Sequence, residues 1–563
     1  MKAIRWASDR IGKEGIVAYV CNNSFVDDMA FDGVRKHLAR DFDALYVLNL
    51  GGNVRKNPKL SGTTHNVFGI QVGVCVNFFV RGGKHAQRPG RIYYQAVPVD
   101  WRRTEKYRFL EEKKQISGVE WEDIQPDKKH TWLTEGLRAD FEGFLPLGNK
   151  LTKGQSGNVV FRNFGNGIKT NRDDWAWNFS NEQLATNIQA TMAVYNEHVE
   201  RWQKRKVKPA NLDAFVDNDA SKISWSETLK KTIEEGVELV FEEKQVRRGI
   251  YRPFTEEFLY FDKDLNERRY QMPVFFPRAE TEKENRCLWI KVGSEIPFWT
   301  LAVNRIPDLM PSGGTQCFPF YTYDGEGGAR RENIPHSTLV RFQNHYGDEK
   351  ITKWDIFHYT YAVLHHPEYR TRYAANLRRE LPRIPLIGSQ ASSLTGQTGV
   401  PPVGKRAARR GRPSSVTDGT SVFHTYAAIG KQLADLHVHY EQAAEHPLQR
   451  IENPEEKLNW RVEKMRLTKD KTALTYNGFL TLAGIPEAAF AYRLGNRSAL
   501  EWVIDQYQTS TDPRSGITND PNREDEPDYI VKLIGKVITV SLETQKLIAG
   551  LPPLQTEEAA PKT

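Results

Sequence analysis

The stretches GIVAYVCNNSF (15–25) and ALYVLNL (44–50) decide the fold class of the amino-terminal part of this chain. Gly15 to Cys21 is a short apolar run that begins at a glycine, and a helical pattern over 30–41 separates it from the second run. Short, continuous apolar runs are typical of strands that are buried on both faces of a sheet. The strand–helix–strand order therefore predicts a parallel sheet wound with helices.

The segments on either side extend this sheet without completing it. An amphipathic helix is predicted over 1–12, and Val67 to Val80 is apolar enough to predict a long third strand. Two or three strands with one or two helices cannot cover both faces of a buried sheet. We therefore expect 1–110 to be the incomplete part of an α/β domain, with the rest upstream or on another chain.

Composition limits the class of protein. A chain of 563 residues with 39% hydrophobic and 27% charged residues has room for about two to four globular domains. The aromatic content of 11% excludes global disorder. The net charge of +8 weakly favours an anionic partner such as nucleic acid, and it carries no information about fold.

The cysteines and the apolar segments indicate the cellular compartment of the chain. Cys21, Cys75, Cys287 and Cys317 form no CxxC pair, which argues against a zinc site and a disulfide framework and fits a reducing cytoplasm. The first residues have no apolar signal core, and no stretch of about 18 apolar residues predicts a membrane span.

From 111 to 550 the pattern is mixed and predicts an α+β domain. We predict helices over 181–205, 354–380, 422–442, 498–507 and 528–546. The segment 388–420 is rich in Ser, Gly, Thr and Pro and cannot bury a core, so it is predicted to be a flexible insertion. The last residues, 551–563, are predicted to be a disordered tail.

Two candidate site segments follow the predicted strands at their carboxyl ends. Asn22, Asn23, Ser24 and Phe25 come after the first strand, where polar side chains either bind a substrate or close a turn, and the turn is favoured. The glycine-rich loop 51–66 follows the second strand and contains the basic residues Arg55, Lys56 and Lys59. These side chains either contact phosphate groups or belong to an ordinary solvated loop.

Basic residues among aromatic ones are further candidates for DNA contact. GIKTNRDDWAWNFS (167–180) contains Lys169 and Arg172, and RGIYRPF (248–254) contains Arg252. A basic face in and just after the predicted helix 354–380 contains Arg370, Arg372, Arg378, Arg379 and Arg383, and it is either solvated or set against phosphate. His358, His365 and His366 on that helix are interpreted as structural residues, since no carboxylate joins them at metal-ligand spacing.

The insertion contains a short basic motif. Arg410-Gly411-Arg412-Pro413, with Lys405 before it, matches the core of an AT-hook, in which arginines enter a narrow A·T minor groove. A match of this length in a low-complexity segment is weak, so a solvated linker is favoured.

Longer matches relate the chain to a known family. NNSF, FDGVRKHL (31–38) and LGGNVRKNPKLSGTTHNVFGIQVGV (50–74) resemble the late methyltransferase motifs of type ISP restriction-modification enzymes. WDIFHYTYAVLHHPEYRTRYAANLRRELPRIP (354–385) and LEWVIDQYQTSTDPRSGITNDPN (500–522) are similar to the specificity domain of that family. The resemblance covers nearly the whole chain.

The resemblance implies a fold and a function. It implies an incomplete Rossmann-like methyltransferase sheet over 1–110, from an N6-adenine enzyme of the gamma type, and a target recognition domain over 111–550. It implies that Asn22, Asn23, Ser24 and Phe25 line the reaction crevice. It also implies that the loop with Arg55, Lys56 and Lys59, and Phe68 after it, lies near a flipped adenine.

The chain departs from the family in the motifs that carry chemistry. No glycine-rich cofactor motif, Asn-Pro-Pro-Tyr-type tetrapeptide, nuclease motif or ATPase motif is present. We therefore expect S-adenosyl-L-methionine to serve the complete enzyme and not to bind this chain alone. The expected partners are duplex DNA and the upstream half. The alternatives are a DNA-binding specificity subunit or accessory protein with no methyltransferase role, and a fragment that does not fold stably.

Overall fold

A computed structural model describes residues 2–53, 64–82, 89–155, 157–205, 211–291, 293, 296–311, 313–325, 327–388 and 419–555. The chain divides into two compact units. Unit 1 comprises 1–138 with 294–296, and unit 2 comprises 139–293 and 297–563. The division lies beyond residue 110, because a short strand at Glu122–Ile124 still pairs with the sheet of unit 1.

Unit 1 is built on one five-stranded sheet. Its strands are β1 (Gly15–Asn22), β2 (Ala44–Gly51), β3 (Val74–Arg81), β4 (Arg91–Ala96) and β5 (Glu122–Ile124), in the spatial order β1-β3-β2-β4-β5. Its helices are α1 (Lys2–Ser8), α2 (Ser24–Asp27), α3 (Asp32–Asp41) and α4 (Arg103–Lys113). The strands and helix predicted over 15–21, 30–41 and 44–50 are therefore present.

The prediction of a parallel sheet is wrong. β3 lies between β1 and β2 and pairs antiparallel with both, while β2 and β4 are parallel and β4 and β5 are antiparallel. β1 and β2 consequently run in the same direction without touching. A continuous apolar run shows that a strand is buried, but it does not show in which direction its neighbours run.

The third strand is shorter than predicted. It begins at Val74, because the preceding residues from Asn66 form a turn in which Gly69 has a φ of 69°. The predicted helix over 1–12 ends at Ser8, and Gly12 has a φ of 68°. In both places the apolar pattern of the sequence extends further than the strand or helix does, because turn residues end the strand or helix first.

The first part of unit 2 contains two sheets and one long helix, Asn181–Gln203, among shorter elements. These elements are β6 (Leu145–Pro146), α5 (Asp173–Ala176), β7 (Trp177–Asn178), α6 (Asn181–Gln203), α7 (Glu227–Glu234), β8 (Val246–Arg252), β9 (Thr255–Tyr260), α8 (Met272–Phe275), α9 (Ala279–Glu282), β10 (Cys287–Lys291), β11 (Thr300–Val303), β12 (Ile306–Pro307) and β13 (Thr315–Pro319). The sheet orders are β12-β8-β9-β7 and β11-β10-β13.

The remainder of unit 2 contains two further long helices, Gly419–Val438 and Tyr529–Ala549, among shorter elements. The elements are β14 (Tyr321–Tyr323), β15 (Arg330–Glu332), α10 (His336–Tyr346), α11 (Lys353–His365), α12 (Pro367–Arg372), α13 (Ala374–Leu377), β16 (Arg383–Ile384), α14 (Gly419–Val438), β17 (Gln449–Glu452), β18 (Arg466–Leu467), β19 (Ala473–Thr475), β20 (Leu480–Ala483), β21 (Arg493–Leu494), β22 (Arg497–Ser498), α15 (Ala499–Gln506), β23 (Ser510–Thr511), β24 (Thr518–Asn519) and α16 (Tyr529–Ala549). β17-β20-β19-β18 form a further sheet.

The helix predictions for unit 2 succeed except at one proline. α6, α14, α15 and α16 lie where helices were predicted, within a few residues. The predicted helix 354–380 is three helices: Pro367 ends α11 and occupies the first position of α12, and Tyr373 separates α12 from α13. Proline lacks the amide hydrogen that a helix interior needs and fits the first helical position.

α11 and α14 pack closely against each other in unit 2. Both helices contribute buried residues to one core cluster, including Phe357, Tyr361 and Phe423. Gly430 of α14 lies against the backbone of α11, where a Cβ atom would be 1.9 Å from the carbonyl oxygen of His358. In the described part of the chain, no helix is both long and apolar enough to cross a membrane.

Candidate nucleic-acid interface

In unit 1, the strand pairing brings the predicted crevice residues to one edge of the sheet. Asn22 at the end of β1 and Gly51 at the end of β2 both pair with Val74, the first residue of β3. Because β3 runs antiparallel between the other two strands, the turn before it lies beside their carboxyl ends. The segments that carry Asn22 and Phe68 are therefore close neighbours.

Amide side chains at this edge have hydrogen-bond partners within unit 1. Asn23 Nδ2 donates to Asn49 Oδ1 at 3.0 Å, and Asn49 Nδ2 donates to the hydroxyl of Tyr94 at 2.9 Å. Asn22 Oδ1 accepts from the backbone amide of Ser24 at 2.8 Å, which is the turn that the sequence favoured. Phe25 is fully buried and packs edge-to-face against Trp132 at 5.8 Å, so the structure places it in the core instead of in an open crevice.

Asn66 organises the loop before β3. Its buried Oδ1 accepts from the amides of Phe68 at 2.9 Å and Ile70 at 3.4 Å, and its Nδ2 donates to the carbonyl oxygen of Val72 at 2.6 Å. α4 holds the same loop, since Lys106 Nζ donates to the carbonyl oxygen of His65 at 2.6 Å. Burial lowers the pKa of Lys106.

The side chain at the tip of this loop is exposed. Phe68 has 61% of its surface exposed, although Asn66 and the hydroxyl of Tyr107, which donates to the carbonyl oxygen of Val67 at 2.6 Å, fix the backbone around it. A large apolar ring on a fixed backbone is a stacking surface for a planar group. Arg55, Lys56 and Lys59 lie outside the described residues.

In unit 2, an extended segment carries Lys169 to the rim of a pocket. Ile168 accepts from the amide of Leu309, and Lys169 exchanges two backbone hydrogen bonds with Arg268, each 2.9 Å long. Gly167 is required there, because a Cβ atom would lie 2.4 Å from the carbonyl oxygen of Asp308. The half-buried Lys169 lines a pocket of about 420 Å³ together with Met310 and other residues.

Arg172 is buried and makes its hydrogen bonds inside the fold. Its Nε donates to the carbonyl oxygen of Ser224 at 3.1 Å, and its Nη2 donates to the hydroxyl of Ser226 at 2.9 Å. Only 2% of Arg172 is exposed, and burial lowers its pKa to about 10. The predicted DNA contact would require this residue to leave its partners.

Arg252 also has an internal partner. Its Nη1 lies 2.7 Å from Asp308 Oδ2, and its guanidinium lies 3.7 Å from the ring centroid of Tyr251. Burial raises the pKa of Asp308 to about 7, although the cation beside it favours the charged form. The contact that the sequence predicted for Arg252 is therefore replaced in this structure by a buried ion pair.

The predicted basic face of 354–380 is divided by the helix break. Arg370 Nε donates to the carbonyl oxygen of Leu364 at 2.7 Å and so binds the carboxyl end of α11. Burial lowers the pKa of Arg370. Arg378 is exposed and Arg379 is half-buried. The AT-hook-like residues Lys405, Arg410 and Arg412 lie outside the described residues.

The histidines of α11 lie in or beside the core. His365 is 1% exposed and its Nδ1 lies 3.0 Å from the carbonyl oxygen of Tyr361. The hydroxyl of Tyr361 lies 2.6 Å from His437 Nδ1 of α14. Burial lowers the pKa of His437 to about 3, so this imidazole is neutral and joins the two helices.

The sequence analysis missed a group of carboxyl residues in unit 2. Asp173, Asp174, Glu257 and Asp512 line one pocket, although they are far apart in the chain. Glu257 is the most buried of them, and burial raises its pKa to about 8. Nothing in the sequence distinguished these residues from ordinary solvated acids, because only the fold brings them together.

Comparison with known proteins identifies the class that this architecture defines. A family model described as the Type ISP C-terminal specificity domain matches residues 159–393 and 415–533, which is more than half of the chain. The chain therefore belongs to the family of type ISP specificity domains, and the resemblance found in its sequence is confirmed to that extent. Residues 1–138, which make up most of unit 1, lie outside the matched residues. No curated protein matches the chain.

Three solved structures are similar over almost the whole chain. A DrdV–DNA complex is 33% identical, with a TM-score of 0.80, over 98% of this chain and 52% of that one. A nuclease-deletion mutant of the type ISP enzyme LlaGI, in complex with a DNA substrate mimic, is 31% identical (TM-score 0.80; 99% and 48%). The ATP-dependent type ISP enzyme LlaBIII, bound to DNA, is 29% identical (TM-score 0.82; 99% and 34%). The chain thus spans about half or less of these relatives.

Proposed function

We propose that the chain is the sequence-specific DNA-recognition part of a type ISP restriction-modification enzyme acting in the cytoplasm. One observation carries the proposal: the specificity-domain match covers most of unit 2, and the three similar structures are DNA complexes. The net charge of +8 supports an anionic partner. Among the residues that the sequence singled out, Lys169 at the pocket rim remains a candidate DNA contact.

We further propose that unit 1 is the carboxyl-terminal part of an N6-adenine methyltransferase sheet of the gamma type. Two features support this assignment: β1 and β2 run in the same direction, and asparagines lie at their carboxyl ends. Ligands of open α/β sheets bind at that edge. The amides of Asn23 and Asn49 are committed to each other and to Tyr94, so they do not fit a cofactor site. S-adenosyl-L-methionine is therefore assigned to the upstream half.

The β1 edge supports the upstream half as a partner. β1 is the first strand of the sheet, and in the described residues it pairs only with β3. Ile16 and Val20 on this strand are 61% and 50% exposed. An exposed apolar edge strand is a template for a further strand. We propose that the upstream half adds to this edge.

The first test is DNA binding and methyl transfer by the chain alone. We expect the purified chain to prefer a duplex that contains the recognition site, with an affinity that falls as salt rises, and to transfer no methyl group from S-adenosyl-L-methionine. The measurements are binding titrations at several salt concentrations and incorporation of a labelled methyl group. Adding the upstream half is expected to give site-specific N6-adenine methylation.

The outcomes separate the proposal from its alternative. Methyl transfer by the chain alone would contradict the assignment of the chemistry to the upstream half. Site-specific binding without methylation, even with the upstream half present, would instead favour an accessory DNA-binding protein. Equal affinity for all duplexes would contradict the recognition function itself.

The exposed Phe68 gives a second test, in the enzyme completed by the upstream half. We expect Phe68→Ala to lower the rate of methylation about 5- to 150-fold, because stacking of a base on an aromatic ring contributes about 1–3 kcal/mol. Phe68→Tyr keeps the ring and should retain most of the activity. Single-turnover methylation of a site-containing duplex measures the effect.

A control separates the ring from the loop that holds it. Ile70 is 42% exposed on the same loop, and Ile70→Ala removes a comparable apolar side chain without removing a ring. We expect it to change the rate less than twofold. Equal losses in both variants would show that the apolar loop, not stacking on Phe68, supports the reaction.

A further inference from the structure

Two cysteines of unit 1 face each other across neighbouring strands. Cys21 of β1 pairs directly with Cys75 of β3, and their sulfur atoms lie 3.9 Å apart. The backbone amide of Asn23 donates to the carbonyl oxygen of Gly73, and the two kinds of antiparallel pair alternate, so Cys21 and Cys75 are also a hydrogen-bonded pair. Such pairs have a Cα separation of about 5.5 Å, within the range of about 4.4–6.8 Å that disulfides span. Rotation of the two side chains can therefore bring the sulfur atoms to bonding distance without a change of strand pairing.

The two thiols differ in their access to solvent. Cys21 is partly exposed on the first strand of the sheet, whereas Cys75 lies between β1 and β2 and is fully buried. An oxidant dissolved in water therefore reaches Cys21 first. The hydrogen bond between the two thiols lowers the pKa of Cys21 and, together with burial, raises the pKa of Cys75. Cys21 is consequently the nucleophile of the pair, and Cys75 is the thiol that attacks it afterwards.

A buried amide is directed at both sulfur atoms. Asn77 is fully buried, and its Nδ2 lies 3.4 Å from Cys21 Sγ and 3.3 Å from Cys75 Sγ. Bonds to the carbonyl oxygens of Tyr19 and Cys75, at 3.1 and 3.2 Å, hold this amide in place. A hydrogen bond to an anion is stronger than one to a neutral acceptor, so the amide favours the thiolate, which is the form that reacts. Its position distinguishes this pair from cysteines that serve only as small apolar residues.

The other two cysteines of the chain provide a contrast. Cys287 of β10 and Cys317 of β13 lie on neighbouring strands, but the register pairs Cys287 with Pro319 and Cys317 with Trp289. Both thiols are fully buried. An oxidant in solution cannot reach either of them, and the strand pairing does not place them opposite each other. We therefore expect Cys287 and Cys317 to stay reduced under conditions that oxidise Cys21.

We propose that Cys21 and Cys75 form a reversible disulfide when the chain meets an organic disulfide such as oxidised glutathione. The Cys21 thiolate attacks one sulfur atom of the oxidant, so a mixed disulfide forms and one glutathione thiolate leaves and takes up a proton. Cys75 then loses its proton and attacks Cys21 Sγ, which breaks the mixed disulfide and releases the second glutathione, to which that proton passes. The two cysteine thiols are oxidised, and the same two electrons reduce the oxidant. The site does not depend on the proposed DNA recognition.

Peptide mapping of the full chain after treatment with oxidised glutathione tests the proposal. The chain is oxidised under native conditions, and the remaining thiols are then alkylated in denaturant before proteolysis. We expect one cross-linked pair of peptides that contains Cys21 and Cys75, together with alkylated Cys287 and Cys317. Two of the four thiols of the chain should be lost, and dithiothreitol should restore them, because thiol–disulfide exchange is reversible.

Single variants separate the roles of the two thiols. Cys75→Ser removes the second thiol, so glutathione should remain attached to Cys21 as a mixed disulfide. Cys21→Ser leaves only the buried thiol of the pair, and we expect no glutathione to attach to the native chain. Each variant replaces one sulfur atom by oxygen in the same pair, so each is the matched control for the other. The mass of the intact chain after treatment measures the attachment.

Three results would overturn the proposal. The first is a chain that keeps all its thiols in oxidised glutathione. The second is a mixed disulfide that persists at Cys21 in the unmodified chain, which would show that Cys75 does not reach it. The third is equal oxidation of Cys287 and Cys317, which would show that strand register and burial do not select the pair.

Discussion

Replacing Arg252 by methionine is expected to lower the free energy of unfolding of unit 2 by about 3–5 kcal/mol at pH 8, because the change leaves a buried carboxylate without its cation. The ion pair is close, with Arg252 Nη1 2.7 Å from Asp308 Oδ2, and the Asp308 side chain is 4% exposed. After the change, the backbone amide of Met310 still donates to Oδ2 at 2.9 Å, but no cation balances the charge there. Urea denaturation followed by tryptophan fluorescence measures the loss.

The sign of the pH effect follows from Asp308. Its pKa in the folded protein is already raised by burial to about 7, and loss of Arg252 raises it further above the unfolded value. A carboxyl group that binds its proton more tightly when folded makes the protein less stable as pH rises. The loss in Arg252→Met should therefore be smaller at pH 5 than at pH 8.

A double variant tests whether the charge, and not the arginine itself, matters. Arg252→Met with Asp308→Asn removes both charges, so most of the stability should return. If Arg252 instead contacts DNA, the single variant would keep its stability and the salt slope of DNA binding would fall by about 1. That result would restore the contact predicted from the sequence.

Arg252 and Arg172 show what the sequence could not predict. Both arginines lie near aromatic residues in polar segments of the sequence. Such segments are equally typical of a nucleic-acid surface and of a buried polar network. The partners that decide between these interpretations are distant in the chain: Asp308 for Arg252, and Ser224 and Ser226 for Arg172. A local pattern contains no information about them.

Elements whose signal is local were predicted well. α6 begins with a capping serine, Ser180, whose hydroxyl accepts from the amide of Gln183, and α15 begins with a capping box at Ser498 and Glu501. The crevice edge was predicted in part. The turn at Asn22 agrees with the sequence, whereas the antiparallel β3 that brings it beside the loop of Phe68 depends on long-range pairing.

The contact between α11 and α14 leads to the second large expected effect. Alanine normally stabilises a helix by about 0.8–1.0 kcal/mol relative to glycine. At Gly430 we expect Gly430→Ala to destabilise unit 2 by about 1–3 kcal/mol or more instead, because a Cβ atom would lie 1.9 Å from the carbonyl oxygen of His358 and 3.2 Å from the Cβ of Ala362. The two helices would have to separate, and their shared core would loosen.

Gly33 provides the control for the helix effect, since it lies in α3 and a Cβ atom there would meet nothing within 4 Å. Gly33→Ala should therefore leave stability unchanged or raise it by up to about 1 kcal/mol. Urea midpoints of both variants and the unmodified chain measure the difference. Equal stabilisation by both changes would contradict the close approach of the helices, whereas a loss confined to Gly430→Ala would show that this glycine is required for packing between α11 and α14.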